Sequence, residues 1–123
     1  MLTIALSRLE FEGRHGATAV ERRSTRKFEV DVELDAEVSG AERSDKLSET
    51  VDYSRVAEVI VSIGVGEPHR LLESLARRMA DAIHAQFPAV SRLRLELRKL
   101  NPPSCAGHPA YSAVRLNLGR EDY

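Results

Sequence analysis

Two stretches of the chain alternate apolar and charged residues with a period of two. This alternation is typical of a β-strand that buries one face and exposes the other to water. In the first stretch the apolar residues are Phe28, Val30, Val32 and Leu34, and acidic residues lie between them. In the second they are Leu93, Leu95 and Leu97, separated by Arg94 and Glu96 and flanked by Arg92 and Arg98. We predict two amphipathic strands whose charged faces lie in solvent.

Weaker patterns predict a strand near each end of the chain. The apolar residues of segment 2–6 share one face, whereas those of segment 9–11 have the opposite parity, which indicates a β-bulge near Ser7-Arg8. Segment 114–118 alternates in the same way and predicts the last strand. The loop from Gly13 to about Thr25 is unusually long, and long loops in compact domains are often functional.

Two helices are predicted between these pairs of strands. Asp52 is a candidate N-cap for a helix whose apolar residues recur at helical spacing as far as Ile63. A longer apolar stripe runs from Leu72 to Phe87 and ends at Pro88. The order β-β-α-α-β-β predicts an α+β fold, a four-stranded antiparallel sheet with two helices on one face, in a single domain over residues 1–123. The two open edges of such a sheet favour self-association, although the pattern does not require it.

Composition argues against several classes of function. Eighteen basic and nineteen acidic residues leave a net charge of −1, without the basic excess of a nucleic-acid-binding protein. No apolar stretch is long enough to span a bilayer and no signal peptide is recognisable, so we expect no membrane association and a cytoplasmic location. The single Cys105 has no disulfide partner, and the four histidines lack the paired spacings typical of a metal site, so we predict no metal.

Four residues are candidates for chemistry, each with a simpler alternative. If the strand that contains Leu93, Leu95 and Leu97 continues through Lys99, the ammonium of Lys99 lies on the buried side of the sheet. The loss of hydration there makes it a candidate acid or base. If that strand ends at Arg98, Lys99 extends into water. Glu73, in the first turn of the second helix, either interacts with the helix dipole or accepts hydrogen bonds from a flat, guanidine-like group. Tyr53 is either a proton donor or an amphipathic residue at a helix start, and Glu21 is either a functional carboxylate or a solvated loop residue.

Four motifs together resemble those of the dihydroneopterin aldolase family. They are Phe11-Glu12-Gly13-Arg14-His15-Gly16 with Glu21, Thr50-Val51-Asp52-Tyr53, Leu71-Leu72-Glu73-Ser74-Leu75-Ala76, and Arg98-Lys99-Leu100-Asn101-Pro102-Pro103 with Gly107-His108. Each motif alone is weak, but their order and spacing cover nearly the whole chain. The resemblance implies the tunnelling fold (T-fold), homo-tetrameric or octameric rings with sites between subunits, and retro-aldol cleavage of 7,8-dihydroneopterin in folate biosynthesis, in some members with epimerisation. It implies no cofactor, no metal and no Schiff base.

The resemblance also implies roles for individual residues. Lys99 would transfer protons, Tyr53 would help to protonate the intermediate, and Glu21 would support the lysine or the hydroxylated tail of the substrate. The residues implied in pterin binding are Glu73, through its carboxylate, with Leu71, Leu72, Val51 and Asp52 around it and Ala17 near the substrate.

The chain departs from the family pattern at two places. Arg14 replaces an aromatic residue that is common before His15-Gly16, and the loop after Lys99 is one residue longer, at Ser104-Cys105-Ala106. Two alternative functions stay open. One is an epimerase of dihydroneopterin triphosphate, for which Arg14, Arg22 and Arg23 are candidate phosphate ligands; the other is a non-catalytic pterin-binding ring protein.

Overall fold

A computed structural model describes residues 1–38 and 40–123 of the chain. Four antiparallel strands form one sheet in the order β1-β2-β3-β4, with bounds β1 Leu2–Gly13, β2 Arg26–Ala36, β3 Val90–Leu100 and β4 Tyr111–Gly119. The helices are α1 Ala41–Ser44, α2 Tyr53–Gly64 and α3 Leu72–Gln86. The α+β prediction of four strands and two main helices on one face is confirmed. The short α1 and the 3-10 turn Leu47–Glu49 lie in a polar segment for which the sequence predicted no element.

The two main helices begin and end where the sequence predicts. The Asp52 side chain accepts a hydrogen bond from the Ser54 backbone N–H at 3.0 Å and so caps α2. At the other end of α2, a Cβ on Gly64 would lie 2.5 Å from the Phe11 ring, so only glycine fits against β1 there. α3 buries a stripe that includes Leu75 and Met79 against the sheet. Among the described helices, none is long and apolar enough to cross a membrane.

The predicted bulge in β1 is confirmed. Leu6 pairs with Val32 and Leu9 with Val30, so Ser7 and Arg8 together oppose the single residue between them on β2. Arg8 adopts φ 55°, and its backbone N–H donates to the Asp31 carboxylate at 2.7 Å. The extra residue restores the parity of the strand, so both of its halves turn their apolar residues towards the helices.

The charged face of the sheet is not solvated throughout, and this part of the prediction is wrong. Glu29 and Arg98 are both buried on that face. The Arg98 guanidinium donates to Glu29 at 3.1 Å, to Asp31 at 2.9 Å and to Glu96 at 2.6 Å. The hydrogen bond from Arg98 holds the pKa of Asp31 below its usual range. Cross-strand pairing of Glu29 with Arg98 explains the burial, because opposite charges in direct register shield one another from water.

Candidate functional site

Lys99 lies on the buried side of the sheet. β3 continues past Arg98 to Leu100, so the parity of the strand holds and Lys99 pairs with Phe28 on β2. Only 7% of Lys99 is exposed. The alternative in which this side chain extends into water is therefore wrong, and the amine sits where the core ends.

Two acceptors hold the Lys99 ammonium. Its Nζ donates to the backbone carbonyl of His15 at 3.0 Å and to the Glu21 carboxylate at 2.5 Å. The hydrogen bond from Lys99 is the main cause that lowers the pKa of Glu21, with a smaller contribution from Thr18, while burial opposes the shift. Glu21 is thus a partly buried, ion-paired carboxylate rather than a loop residue in water. The pair presents a charged amine and its counter-ion at the end of β3.

The first loop folds back on itself to bring Glu21 to Lys99. Thr18 donates its hydroxyl to Glu21 and accepts the backbone N–H of the same residue, both at 3.2 Å. Gly16 passes so close to Glu21 that an added Cβ would lie 2.4 Å from the Glu21 Cβ. Arg22 closes the turn by donating to the Gly16 carbonyl at 2.9 Å. A residue with a side chain at position 16 would push the carboxylate away from the amine.

His15 ties this loop to the rest of the molecule, a role that the sequence did not reveal. Its ring is 2% exposed and packs edge-on against Phe28. The ring Nε2 contacts the Gly64 carbonyl at 2.7 Å, and Nδ1 accepts the His69 backbone N–H at 2.9 Å. The Gly16 N–H returns to the His69 carbonyl at 3.0 Å. The only signal in the sequence was the glycine on either side, at positions 13 and 16, which indicates a loop packed closely against other backbone.

The start of α3 lies at the same end of the molecule. His69, joined to His15, also contacts the Ser74 hydroxyl through Nδ1 at 2.9 Å. Glu73, the neighbour of Ser74, therefore lies in the turn that His69 connects to the His15 loop, and it is exposed. The remaining predicted residues of this end are Leu71, which is 53% exposed, Leu72, which is half-buried, and Ala17, which is exposed.

Val51, Asp52 and Tyr53 lie at the opposite end of α2. The Lys99 site adjoins Gly64, the last residue of this helix, whereas Tyr53 is its first. Twelve helical residues span about 18 Å, further than a tyrosine side chain extends. Tyr53 is 60% exposed, whereas Val51 is buried. The structure thus divides the predicted site residues into two groups that do not meet within one chain.

In the part of the chain that the structure describes, no group of three or more His, Cys, Asp or Glu side chains is arranged so that it could hold a metal ion. Cys105 is exposed in the loop after β3.

Comparison with known proteins identifies the family. The family model described as dihydroneopterin aldolase matches residues 4–117. The dihydroneopterin aldolase of Streptococcus pyogenes serotype M1 is 35% identical over 118 residues, which cover 96% of this chain and 97% of the relative. That of Bacillus subtilis (strain 168) is 32% identical over 113 residues, 92% of each chain.

Solved structures share the fold. E. coli dihydroneopterin aldolase in complex with neopterin matches with a TM-score of 0.88 and 24% identity, over 97% of this chain and all of that one. Urate oxidase from Bacillus subtilis matches with a TM-score of 0.72 and 14% identity, over 98% of this chain and 47% of its own. The architecture is the tunnelling fold that the motifs implied. With a family model that spans most of the sequence and relatives of about one-third identity, the chain belongs to the dihydroneopterin aldolase family.

Proposed function

We propose that this protein cleaves 7,8-dihydroneopterin by a retro-aldol reaction to 6-hydroxymethyl-7,8-dihydropterin and glycolaldehyde. The observation that carries the proposal is the buried Lys99 amine, held between the Glu21 carboxylate and a backbone carbonyl at the end of β3. Family membership supports the same activity. The fold alone would not, because urate oxidase shares it.

The reaction breaks the bond between the first two carbons of the trihydroxypropyl side chain. A base removes the proton from the hydroxyl on the second carbon. That carbon becomes the aldehyde carbon of the glycolaldehyde that leaves. The electron pair of the broken bond passes into the ring imine, which takes up a proton and becomes an enamine. Protonation of that enamine on the side-chain carbon, with loss of the proton from the ring nitrogen, then restores the imine and gives the hydroxymethyl product. The heterocycle itself accepts the electrons, so proton transfer and positioning are the tasks left to the protein.

Lys99 is suited to these proton transfers. An amine with a flexible stem can give and take a proton, which a guanidinium cannot. Glu21 orients the ammonium and balances its charge, and a substrate hydroxyl within the same hydrogen-bonded group would exchange protons with it. In our proposal Tyr53 of a neighbouring subunit donates the proton that completes the enamine step. Each general acid or base of this kind contributes about 10²–10⁴ in rate.

Glu73 is the proposed anchor for the heterocycle. A pterin has an amino group and a ring N–H side by side, and one carboxylate can accept both hydrogen bonds. Guanine has the same pair of donors, and a Burkholderia dihydroneopterin aldolase of this fold has been solved bound to guanine. Backbone groups of Leu72, Val51 and Asp52 would complete the recognition, while Leu71 and Ala17 would contact the ring system and the tail.

We further propose that the complete site forms between neighbouring copies of the chain in a tetrameric or octameric ring. The Lys99 end exposes Val20 and Leu71, and the Tyr53 end exposes Leu47 and Tyr53 itself. Exposed apolar side chains in both places are consistent with burial in contacts between subunits. The outer strands β1 and β4 leave two sheet edges open in one chain, and pairing of these edges would close a ring.

The direct test is an assay of the purified protein with 7,8-dihydroneopterin and, separately, with its triphosphate. We expect release of glycolaldehyde and a hydroxymethyl pterin from the free compound. Inversion of a side-chain hydroxyl without glycolaldehyde would instead identify an epimerase. Tight pterin binding without any turnover would identify a binding protein. Either result would refute the proposed aldolase.

Mixed rings test the shared site. A Lys99→Met chain and a Tyr53→Ala chain, each inactive alone, are co-expressed with different tags and purified as mixed assemblies. If Lys99 of one subunit works with Tyr53 of its neighbour, about a quarter of the interfaces in a random mixture contain both intact residues. Activity near that fraction is expected, whereas mixed rings as inactive as the separate variants would show that both residues must come from one chain.

A further inference from the structure

We propose that His15 is a positioning residue: its neutral imidazole fixes the first loop so that the His15 carbonyl and Glu21 hold the Lys99 ammonium against the substrate. The inference rests on the proposed function and adds to it a residue with no expected contact with the pterin. Four hydrogen bonds, all at this end of the sheet, carry it.

The four bonds form a closed path through the loop. One side of the His15 ring meets the Gly64 carbonyl at 2.7 Å, which fixes the loop to the end of α2. The other side accepts the His69 N–H at 2.9 Å, and the Gly16 N–H returns to the His69 carbonyl at 3.0 Å. The carbonyl of His15 itself accepts from Lys99 at 3.0 Å. A shift of the ring therefore moves an acceptor of the catalytic amine directly.

Only one protonation state of His15 satisfies this path. A carbonyl can only accept, so Nε2 must carry a proton; a backbone N–H can only donate, so Nδ1 must be free of one. The titratable groups that face the ring are His69, from the segment before α3, and Lys99, from β3, with Glu21 beyond the ammonium. Burial lowers the pKa of His15, and the charges of His69 and Lys99 add to this, while the bond to Gly64 opposes it. The imidazole is thus kept neutral in the folded protein.

The amine depends on this support more than most side chains would. A lysine has four rotatable bonds and loses about 2 kcal/mol of rotamer entropy when it is held in one place. Glu21 alone cannot set its position, because Glu21 lies on the same loop and moves with it. A displacement of about 1 Å in a catalytic group can reduce the rate about 10²-fold.

Pterin binding should depend on His15 much less. Glu73 is carried by the first turn of α3, a helix in which Leu75 and Ala76 are completely buried in the core. The position of the anchor is therefore set by the core. Loosening the first loop should lower kcat while the affinity for the heterocycle stays close to that of the wild type.

Each of two substitutions removes one of the two hydrogen bonds that the His15 ring makes. His15→Asn keeps an acceptor near the position of Nδ1, and His15→Gln keeps a donor near the position of Nε2. We expect kcat to fall about 10- to 100-fold in each variant, and further in His15→Ala. The dissociation constant of neopterin, the oxidised and unreactive pterin, is measured by fluorescence titration and should change little.

The control is Leu34→Ala, a fully buried core position paired with Leu93 and Ile4 away from the Lys99 end. It destabilises the fold as much as or more than the histidine variants but touches no member of the path. Its kcat per folded subunit should equal that of the wild type. Full kcat in both His15→Asn and His15→Gln, or an equal loss of kcat in Leu34→Ala, would overturn the inference.

A second measurement separates this inference from the proposed function. Carbon NMR follows the titration of the Glu21 carboxyl, whose pKa is lowered chiefly by Lys99. If His15 positions the pair, that pKa rises towards its ordinary value in His15→Ala and stays low in Leu34→Ala. This result supports the inference even if the wild-type protein releases no glycolaldehyde. An unchanged Glu21 titration in His15→Ala would refute positioning whatever the activity.

Discussion

Replacement of Lys99 by methionine or arginine distinguishes the role of its transferable proton from the role of its positive charge. Methionine has nearly the same length and no amine. Arginine retains the positive charge and the hydrogen bond to Glu21 but cannot release its proton. Both side chains remain on the buried side of β3 because the strand continues to Leu100.

The expected effects differ for turnover and for stability. Loss of one general acid or base lowers the rate about 10²–10⁴-fold, equivalent to about 3–5 kcal/mol in the activation free energy. For stability, Lys99→Met removes the hydrogen bonds to Glu21 and to the His15 carbonyl, together worth about 2–3 kcal/mol, and adds apolar burial worth about 1 kcal/mol. Glu21 keeps its bond to Thr18 and is partly exposed, so it can regain water. The net change in the free energy of unfolding is a loss of about 1–2 kcal/mol.

The assay is glycolaldehyde release at saturating 7,8-dihydroneopterin, together with neopterin titration and urea unfolding. Both Lys99→Met and Lys99→Arg should lose at least about 10²-fold in kcat while they still bind neopterin. If Lys99→Arg turns over at nearly the wild-type rate, the positive charge alone is sufficient, and the role of Lys99 as a proton carrier is refuted.

Further predictions concern binding, the buried ion cluster, titration and metal. Glu73→Gln should weaken neopterin binding about 10²-fold or more by fluorescence titration, with an unchanged melting temperature because the residue is exposed. Arg98→Met should reduce the free energy of unfolding by about 3–5 kcal/mol, because three carboxylates lose their common partner, whereas the more exposed Arg94→Met should cost about 1 kcal/mol. The pKa of His15 is lower in the folded protein than in the unfolded chain. The contribution of His15 to the free energy of unfolding is therefore fully present above about pH 6.5, and it declines as the pH falls by up to about 1.4 kcal/mol per pH unit. In His15→Asn, the free energy of unfolding measured with urea should lack this part of the decline between pH 7 and 5.5. Dialysis against a chelator should leave turnover unchanged, and a loss that zinc restores would contradict the metal-free mechanism.

The four strands and the two main helices, α2 and α3, were predictable because each one follows a periodic pattern. The parity change between segments 2–6 and 9–11 predicted the bulge, and the capping residue Asp52 predicted the start of α2. Burial on the charged face was not predictable from alternation. Whether Glu29 and Arg98 are solvated depends on their register across two strands, which a single strand does not encode.

The group of residues around Lys99 was predictable only in part. Parity placed Lys99 on the buried side, but only on the condition that β3 continues one residue beyond Arg98, and composition does not decide where a strand ends. The loop from Gly13 to Arg26 has no periodicity, so only the family resemblance, and no pattern of residues in the loop, indicated that Glu21 supports the lysine. The sequence placed His15 in a family motif but gave no sign of its partners, because its hydrogen bonds to Gly64 and His69 join segments about 50 residues apart.

The candidate site is built partly from core elements and partly from the first loop, and substitutions in these two parts should have different effects. Glu73 and the backbone of Lys99 belong to α3 and β3, whose buried residues fix the positions of these two elements. Glu21 and the His15 carbonyl lie on a loop that has few buried apolar residues and depends on hydrogen bonds for its shape. Segments held mainly by hydrogen bonds open at lower free energy than packed elements. Changes in this loop should therefore affect the rate before they affect pterin binding, whereas changes in the core should lower stability before either.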